Sequence, residues 1–157
     1  MILRTPLRTD AYHIHSLIRQ CPPLDLNSIY AYLLIAEHFS ATSVVAEEAD
    51  QIAGFVSAYF PPDSPDTLFV WQVAVHERAR GRQLGRRMLE HILERPSASA
   101  ARFVDATVGP ENGPSRHLFH TLARRRNVAI HESALYGHVL FGPAAHDDEN
   151  LIRIGPL

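Results

Sequence analysis

The strand-like run Thr67–Val75 leads through the turn His76–Ala79 into Arg80-Gly81-Arg82-Gln83-Leu84-Gly85. This succession constrains the chain more than any other part of it. Thr67–Val75 is rich in Val and aromatic residues and is interrupted only by Gln72, so it reads as a strand. Beyond the turn, Leu84, Met88, Leu89 and Ile92 recur at helical spacing until Pro96 stops them. A strand, a turn with small residues and a helix N-terminus together make an anion site. The first N–H groups of a helix have no internal partner, and its dipole favours negative charge there. Glycine lets a ligand approach the backbone closely, and Arg78, Arg80, Arg82, Arg86 and Arg87 add positive charge. The alternative is a capped surface helix with a solvated arginine face, and a short glycine pattern by itself does not separate the two.

The remaining pattern surrounds this segment with strands and helices. Ile2–Thr5 reads as a first strand, and Thr9 or Asp10 as the cap of a helix with Ala11, Ile14, Leu17 and Ile18 inward. Cys21-Pro22-Pro23 stops it. Asn27 or Ser28 then caps a second helix, expected to turn Ile29, Leu33 and Ala36 inward with Tyr30 and Leu34 beside them. Residues 43–47 and 52–59 form two strands about a turn at Ala49-Asp50-Gln51, and a loop with three prolines follows. Residues 102–108 are a further strand and 115–124 a helix with Leu118, Phe119 and Leu122 inward. Past Arg126 the pattern weakens, with strands expected at 128–130 and 151–154 and none assigned between. Strands that run consecutively and then alternate with helices imply an α/β chain with a mixed sheet and helices on its faces. Nothing in the composition marks a linker, so residues 1–157 are expected to be a single domain.

Composition narrows the function. The formal net charge is −2, which argues against a broad electrostatic partner such as nucleic acid. The longest apolar stretch, 68–75, is far below the roughly 20 residues that span a bilayer, so no membrane association is expected. The single cysteine, Cys21, excludes an internal disulfide and fits a cytoplasmic, reducing compartment, as does an N-terminus without an apolar signal core. Ten histidines invite a metal hypothesis. His13 and His15 cannot share a helix face, and no cysteine or carboxylate completes a site around His117 and His120, so no metal is expected.

The segment from Trp71 to Leu89 resembles motif A of the GNAT N-acetyltransferases. That motif is Gln or Arg, two residues, Gly, one residue, then Gly or Ala, after a Val-rich strand. Arg80 takes the first position and Gly85 the last, but Gln83 stands in place of the middle glycine. This is harmless where the backbone is helical and weakens the site where positive φ is needed. Asn112–Phe119 resembles motif B, with Phe119 where the family often has a tyrosine that protonates the leaving thiolate. Three further stretches, Cys21–Tyr30, Pro65–Val75 and His146–Gly155, closely resemble segments of the diaminobutyrate acetyltransferases of ectoine biosynthesis.

The resemblance implies a GNAT-type acyl-CoA N-acyltransferase fold, with a central, mostly antiparallel sheet flanked by helices. It implies acetyl-CoA as cosubstrate, held by Val73, Ala74, Val75, Arg80, Gly81, Arg82, Gln83, Leu84, Gly85, Arg86, Asn112 and Ser115. It also implies a homodimer. The activity implied is transfer of acetyl to the 4-amino group of L-2,4-diaminobutyrate by direct attack in a ternary complex. Such a diamino acid needs carboxylates for its ammonium groups, and Asp25 and Glu149 are the candidates, expected to converge above Trp71. Tyr30, Trp71 and Thr107 complete the expected substrate contacts, Trp71 through an aromatic face. Glu149 is the expected base with Asp25 holding the second ammonium, or the reverse. The nearest alternatives are structural: Asp25 as a cap of the second helix, Glu149 as a solvated charge, Trp71 and Tyr30 as packing residues, and Asn112 as a plain helix cap. Relatives tend to carry Glu at 105 and Thr at 106 and 109, where this chain has Asp105, Ala106 and Gly109. With Gln83 and Phe119, these departures leave open a weakened acyl-CoA-binding module, or an enzyme for another small amine such as ornithine or a polyamine.

Overall fold

A computed structural model describes residues 1–157. The backbone divides into two units, Met1–Tyr59 with Trp71–Ser99, and Phe60–Val70 with Ala100–Leu157. Seven strands and four helices are present. No helix is long and apolar enough to cross a membrane.

The first unit contains β1 (Ile2–Arg4), α1 (Ala11–Arg19), α2 (Ile29–His38), β2 (Val44–Glu48), β3 (Gln51–Tyr59), the later part of β4 (Thr67–Val75) and α3 (Leu84–Leu93). Its strands lie in the order β1-β2-β3-β4. β1 pairs antiparallel with β2, and β2 with β3, placing Val45 opposite Phe55. Ala49 and Asp50 both take positive φ, 51° and 62°, the geometry of the two-residue turns that match strand twist. One core gathers Ile14, Leu17 and Ile18 of α1, Tyr32 and Ile35 of α2, and Val45, Phe55 and Ala74 of the sheet. Each large side chain buried there contributes about 1.5–3 kcal/mol. Leu84, Met88, Leu89 and Ile92 of α3 are buried as their spacing predicts. A Cβ on Gly54 would lie 2.9 Å from the Met88 methyl, so the absence of a side chain lets α3 approach β3.

Two sequence expectations fail in this unit. α2 buries Tyr32, Ile35 and Ala36, while Ile29, Leu33 and Leu34 stay exposed. The helix is apolar almost all round, so its composition does not select a face. Asp10 precedes α1 as expected but does not cap it through its side chain. Its carboxylate accepts from the Leu7 N–H at 2.6 Å and from both terminal nitrogens of Arg4 at 2.8 and 3.0 Å. Ser28 does cap α2, accepting from Ala31 N–H at 3.1 Å.

The second unit holds the start of β4 (Thr67–Val70), β5 (Phe103–Val108), α4 (Gly113–Arg126), β6 (Ile130–Tyr136) and β7 (Glu149–Ile154), in the order β4-β5-β7-β6. β4 and β5 are parallel over Thr67–Val70, and the other two pairings are antiparallel. The mixed, mostly antiparallel sheet expected from the sequence is therefore present. Phe119, Leu122 and Ala123 of α4 are buried, as are Val104, Ala106 and Val108 of β5 and Ile152 and Ile154 of β7. Gly155 follows β7 at φ 137°, and a Cβ there would lie 2.6 Å from the Arg102 carbonyl oxygen, so glycine is required. β6 begins at Ile130 and runs to Tyr136, well past the short strand expected at 128–130. Its outward residues are mixed in polarity and hide the alternation.

The Arg4–Asp10 pair gives this fold a pH dependence. Burial raises the Asp10 carboxyl, but hydrogen bonds from Arg4 and Leu7 outweigh it and the net shift is downward. A lowered carboxyl contributes stability that is complete above its unfolded pKa of about 3.9 and is lost as pH falls through the folded value. Asp10→Asn should lower unfolding stability by about 1–3 kcal/mol at pH 7. Urea titrations should show that difference shrinking towards pH 3.

Candidate active site

The candidate anion site is the stretch where the first unit's β4 gives way to α3. After Val75, His76 starts a short turn by accepting the Arg78 N–H on Nδ1 at 3.2 Å. Arg80 is extended, Gly81 takes φ 78°, and Gln83 takes φ 54° and ψ 31°. The position occupied by Gln83 therefore needs positive φ, where a residue other than glycine is disfavoured by about 1 kcal/mol. Gln83 is also the residue before α3, and its side chain does not cap the first turn. The opening N–H groups thus have no acceptor from the N-cap side chain, which suits an anionic ligand.

The arginines here differ in their commitments. Arg82 is held by Glu48 through two hydrogen bonds, at 3.1 and 2.9 Å. Arg80 Nε donates to the Val75 carbonyl at 3.4 Å. Arg86 Nε donates to Gln83 Oε1 at 2.8 Å, and its Nη1 to Glu90 Oε2 at 2.6 Å. Of the other predicted cofactor residues, Ala74 and Leu84 have core side chains, which leaves their backbone to meet a ligand. Val73 and Val75 are half-buried on the strand face opposite Ala74. The parallel ladder with β5 ends at Val70–Ala106, so the backbone of Trp71–Val75 continues beyond it.

Asp25, Tyr30 and Trp71 also belong to the first unit. Gln72, buried in β4, holds the Asp25 loop and α2: its Nε2 donates to the Asp25 carbonyl at 2.6 Å and its Oε1 accepts from the Tyr32 hydroxyl at 3.0 Å. The loop bearing Asp25 is thereby fastened to the strand residue next to Trp71. Asp25 is exposed and is not the cap of α2, a role taken by Ser28. Tyr30, in the first turn of α2, is 68% exposed, and Trp71 is 44% exposed with its ring edge-on to Tyr59 at 6.4 Å. Both are therefore more open than core packing requires. Sequence reasoning missed Gln72 and Tyr32 as site residues. The visible signal was a lone amide inside an apolar strand.

Thr107 and Glu149 belong to the second unit. The register pairs Asp105 with Arg153 and Thr107 with Leu151. Alternation then puts Asp105, Thr107, Glu149, Leu151 and Arg153 on one face. Glu149 opens β7 instead of lying in a loop, and it is half-buried. On the same face Arg153 clasps Asp105 at 2.9 and 2.8 Å and stacks over Phe103. Beside Glu149, Asn150 Nδ2 donates to Glu132 at 3.0 Å. Glu132 is also paired with Arg116, whose Nη2 donates to the Gly109 carbonyl. That network was not anticipated. It braces the β5–α4 turn that carries Asn112. Asn112 itself caps α4, its side chain accepting from the Ser115 N–H at 3.2 Å. Phe119 is 3% exposed and has a packing role.

Cys21 is close in space to the end of β4, although distant in sequence. Its Sγ lies 3.6 Å from the Val75 carbonyl, and burial raises the thiol above its ordinary pKa. A protonated, buried thiol is a poor nucleophile. No group of three His, Cys, Asp or Glu side chains is placed to hold a metal ion.

Residues 11–123 match the Acetyltransferase (GNAT) family. An L-2,4-diaminobutyric acid acetyltransferase of Bordetella parapertussis is 56% identical over 155 residues, covering 98% of this chain and 83% of its own. The enzyme of the same name from Chromohalobacter salexigens is 44% identical over 157 residues, with 99% and 81% covered. Among solved structures, the diaminobutyrate acetyltransferase EctA from Paenibacillus lautus, in complex with L-2,4-diaminobutyric acid and coenzyme A, superposes with a TM-score of 0.96. It is 37% identical, with 99% of this chain and 94% of that one covered.

The buried amide of Gln72 gives a direct test of how the first unit's loop is held. Gln72→Leu removes the acceptor of the Tyr32 hydroxyl, which keeps only the Asn27 N–H, and the side-chain donor to the Asp25 carbonyl, and should cost about 2–3 kcal/mol of stability. Tyr32→Phe should cost about 1 kcal/mol. In denaturant titrations the double variant should lose less than the sum, because both changes remove one shared bond.

Proposed function

This chain belongs to the acetyltransferase (GNAT) family, and from that premise we propose that it transfers acetyl from acetyl-CoA to the 4-amino group of L-2,4-diaminobutyrate. The observation that carries the reading is the join between β4 and α3. Positive φ at Gly81 and Gln83 opens an uncapped helix N-terminus for the CoA diphosphate. On the same strand, Gln72 fastens the Asp25 loop beside Trp71. The close relatives named above, which are diaminobutyrate acetyltransferases, support the substrate.

The proposed reaction is a direct attack. The amine has a solution pKa of about 10.4, near that of lysine, so it must lose a proton before it is nucleophilic. Glu149 takes that proton and Asp25 holds the other ammonium. Tyr30, Trp71 and Thr107 line the substrate. The free amine attacks the thioester carbonyl, the new C–N bond forms and the C–S bond breaks, and the proton that the attacking nitrogen then loses passes through water to the departing CoA thiolate. Backbone N–H groups of Val73–Val75 stabilise the oxyanion. The buried, protonated state of Cys21 supports a mechanism without an acyl-enzyme.

Residues 1–157 are read as one acetyltransferase domain, a reading supported by a family match that starts in the first unit and ends in the second. We place the enzyme in the cytoplasm, consistent with its single cysteine. We also read it as a homodimer. β6 is exposed along most of its length, and Leu135, Tyr136, Val139 and Leu140 are large apolar residues in water. Sedimentation should give twice the chain mass, and a monomer would contradict this.

Activity is tested by mixing the protein with acetyl-CoA and a panel of diamino acids and polyamines, following free thiol and product mass. Turnover should be fastest with L-2,4-diaminobutyrate. Binding of acetyl-CoA without turnover on any amine would overturn the proposal. Glu149→Gln should lower kcat by roughly 100-fold or more at neutral pH. An unchanged kcat across pH at saturating substrate would remove Glu149 as the base.

A further inference from the structure

Gln83 stands where the motif has glycine, in a left-handed backbone conformation that glycine adopts most readily. Its side chain is engaged as well. Oε1 accepts from Arg86 Nε at 2.8 Å, while Arg86 Nη1 donates to Glu90 at 2.6 Å. These two partners pull in opposite directions. Glu90 lies one turn further along α3 and draws the guanidinium down the helix. Gln83 is the residue before the first turn and draws it back towards the uncapped N–H groups. The Arg86 side chain is only 14% exposed, so its charge is partly desolvated. Arg80, by contrast, is exposed, and Arg82, which like Arg86 is paired with a carboxylate, is also exposed.

We propose that Gln83 is a positioning residue for acetyl-CoA, whose side-chain amide fixes the Arg86 guanidinium at the mouth of the anion site. The diphosphate then meets a cation already in place, and binding loses less side-chain freedom. Glycine would relax the backbone but release the arginine. The two effects have opposite signs for affinity, and Gln83 gives up the first for the second. This inference rests on the reading that the CoA diphosphate binds at the N-terminus of α3.

The test compares wild type with Gln83→Gly and Gln83→Asn. Glycine removes the conformational cost, and asparagine tolerates the same φ but is one methylene too short to reach Arg86. Both variants should unfold, without ligand, at a denaturant midpoint equal to or above wild type. Their Kd for CoA by calorimetry should rise about fivefold. KM for acetyl-CoA should rise in parallel at unchanged kcat. In an Arg86→Gln background, Gln83→Gly should no longer raise Kd, because only the backbone relaxation remains. Equal or tighter CoA binding by Gln83→Gly would overturn the proposal and mark Gln83 as a mere substitute for glycine. Failure of the wild type itself to bind CoA would overturn the underlying cofactor reading, and this inference with it.

Discussion

The first unit depends on one buried amide. Gln72 interrupts the most apolar strand of the chain, and both ends of its side chain are used, one by the Tyr32 hydroxyl and the other by the Asp25 carbonyl. A buried amide is tolerable only when its donor and acceptor are both satisfied. Satisfying them here fixes α2 and the loop before it against β4. Strand alternation then sends Trp71, Val73 and Val75 to the face opposite that core, as their partial exposure shows. The amide is thus a structural constraint with a positional result: a loop residue, Asp25, is tied to the residue next to Trp71.

The join between β4 and α3 shows a second compromise. Two excursions to positive φ, at Gly81 and Gln83 on either side of Arg82, precede α3, whose first turn has no N-cap side-chain bond. Such a helix start costs stability in the absence of an anion, because a side-chain cap typically contributes about 1 kcal/mol. Regions of low intrinsic stability that a ligand completes are expected at binding sites. In the second unit the bracing is ionic instead: Asp105 with Arg153 on one face, and Arg116, Glu132 and Asn150 beside the first residues of β7. These pairs are partly exposed, and their value lies more in fixing strand register than in net stability.

Much of this was legible in the sequence, for reasons that can be assigned. β4 and α3 were readable because a dense Val and aromatic run ends abruptly at a turn, and because Leu84, Met88, Leu89 and Ile92 keep strict helical spacing. The candidate site residues came from local motifs and resemblance, and the structure shows why some of them are open to solvent. The inward face of α2 was not readable, because a helix with apolar residues all round gives periodicity no direction. β6 was missed because its exposed side chains mix His, Glu, Ser, Leu and Tyr without alternation. Asp10 resembled a cap, but Arg4, six residues earlier, recruits its carboxylate by a contact that no local rule anticipates. The roles of Gln72 and Gln83 depend on partners, and partners appear only once the chain is folded.

The central claim is that acetyl reaches the 4-amino nitrogen of a diamino acid without passing through the protein. It is tested most directly by incubating the protein with acetyl-CoA carrying a 13C-labelled carbonyl and with L-2,4-diaminobutyrate, then tracing the labelled amide by NMR. A single product is expected, in which the labelled carbonyl couples to the C4 methylene protons, with no label on the protein itself. Coupling to the C2 proton, or label retained on Cys21, would contradict it.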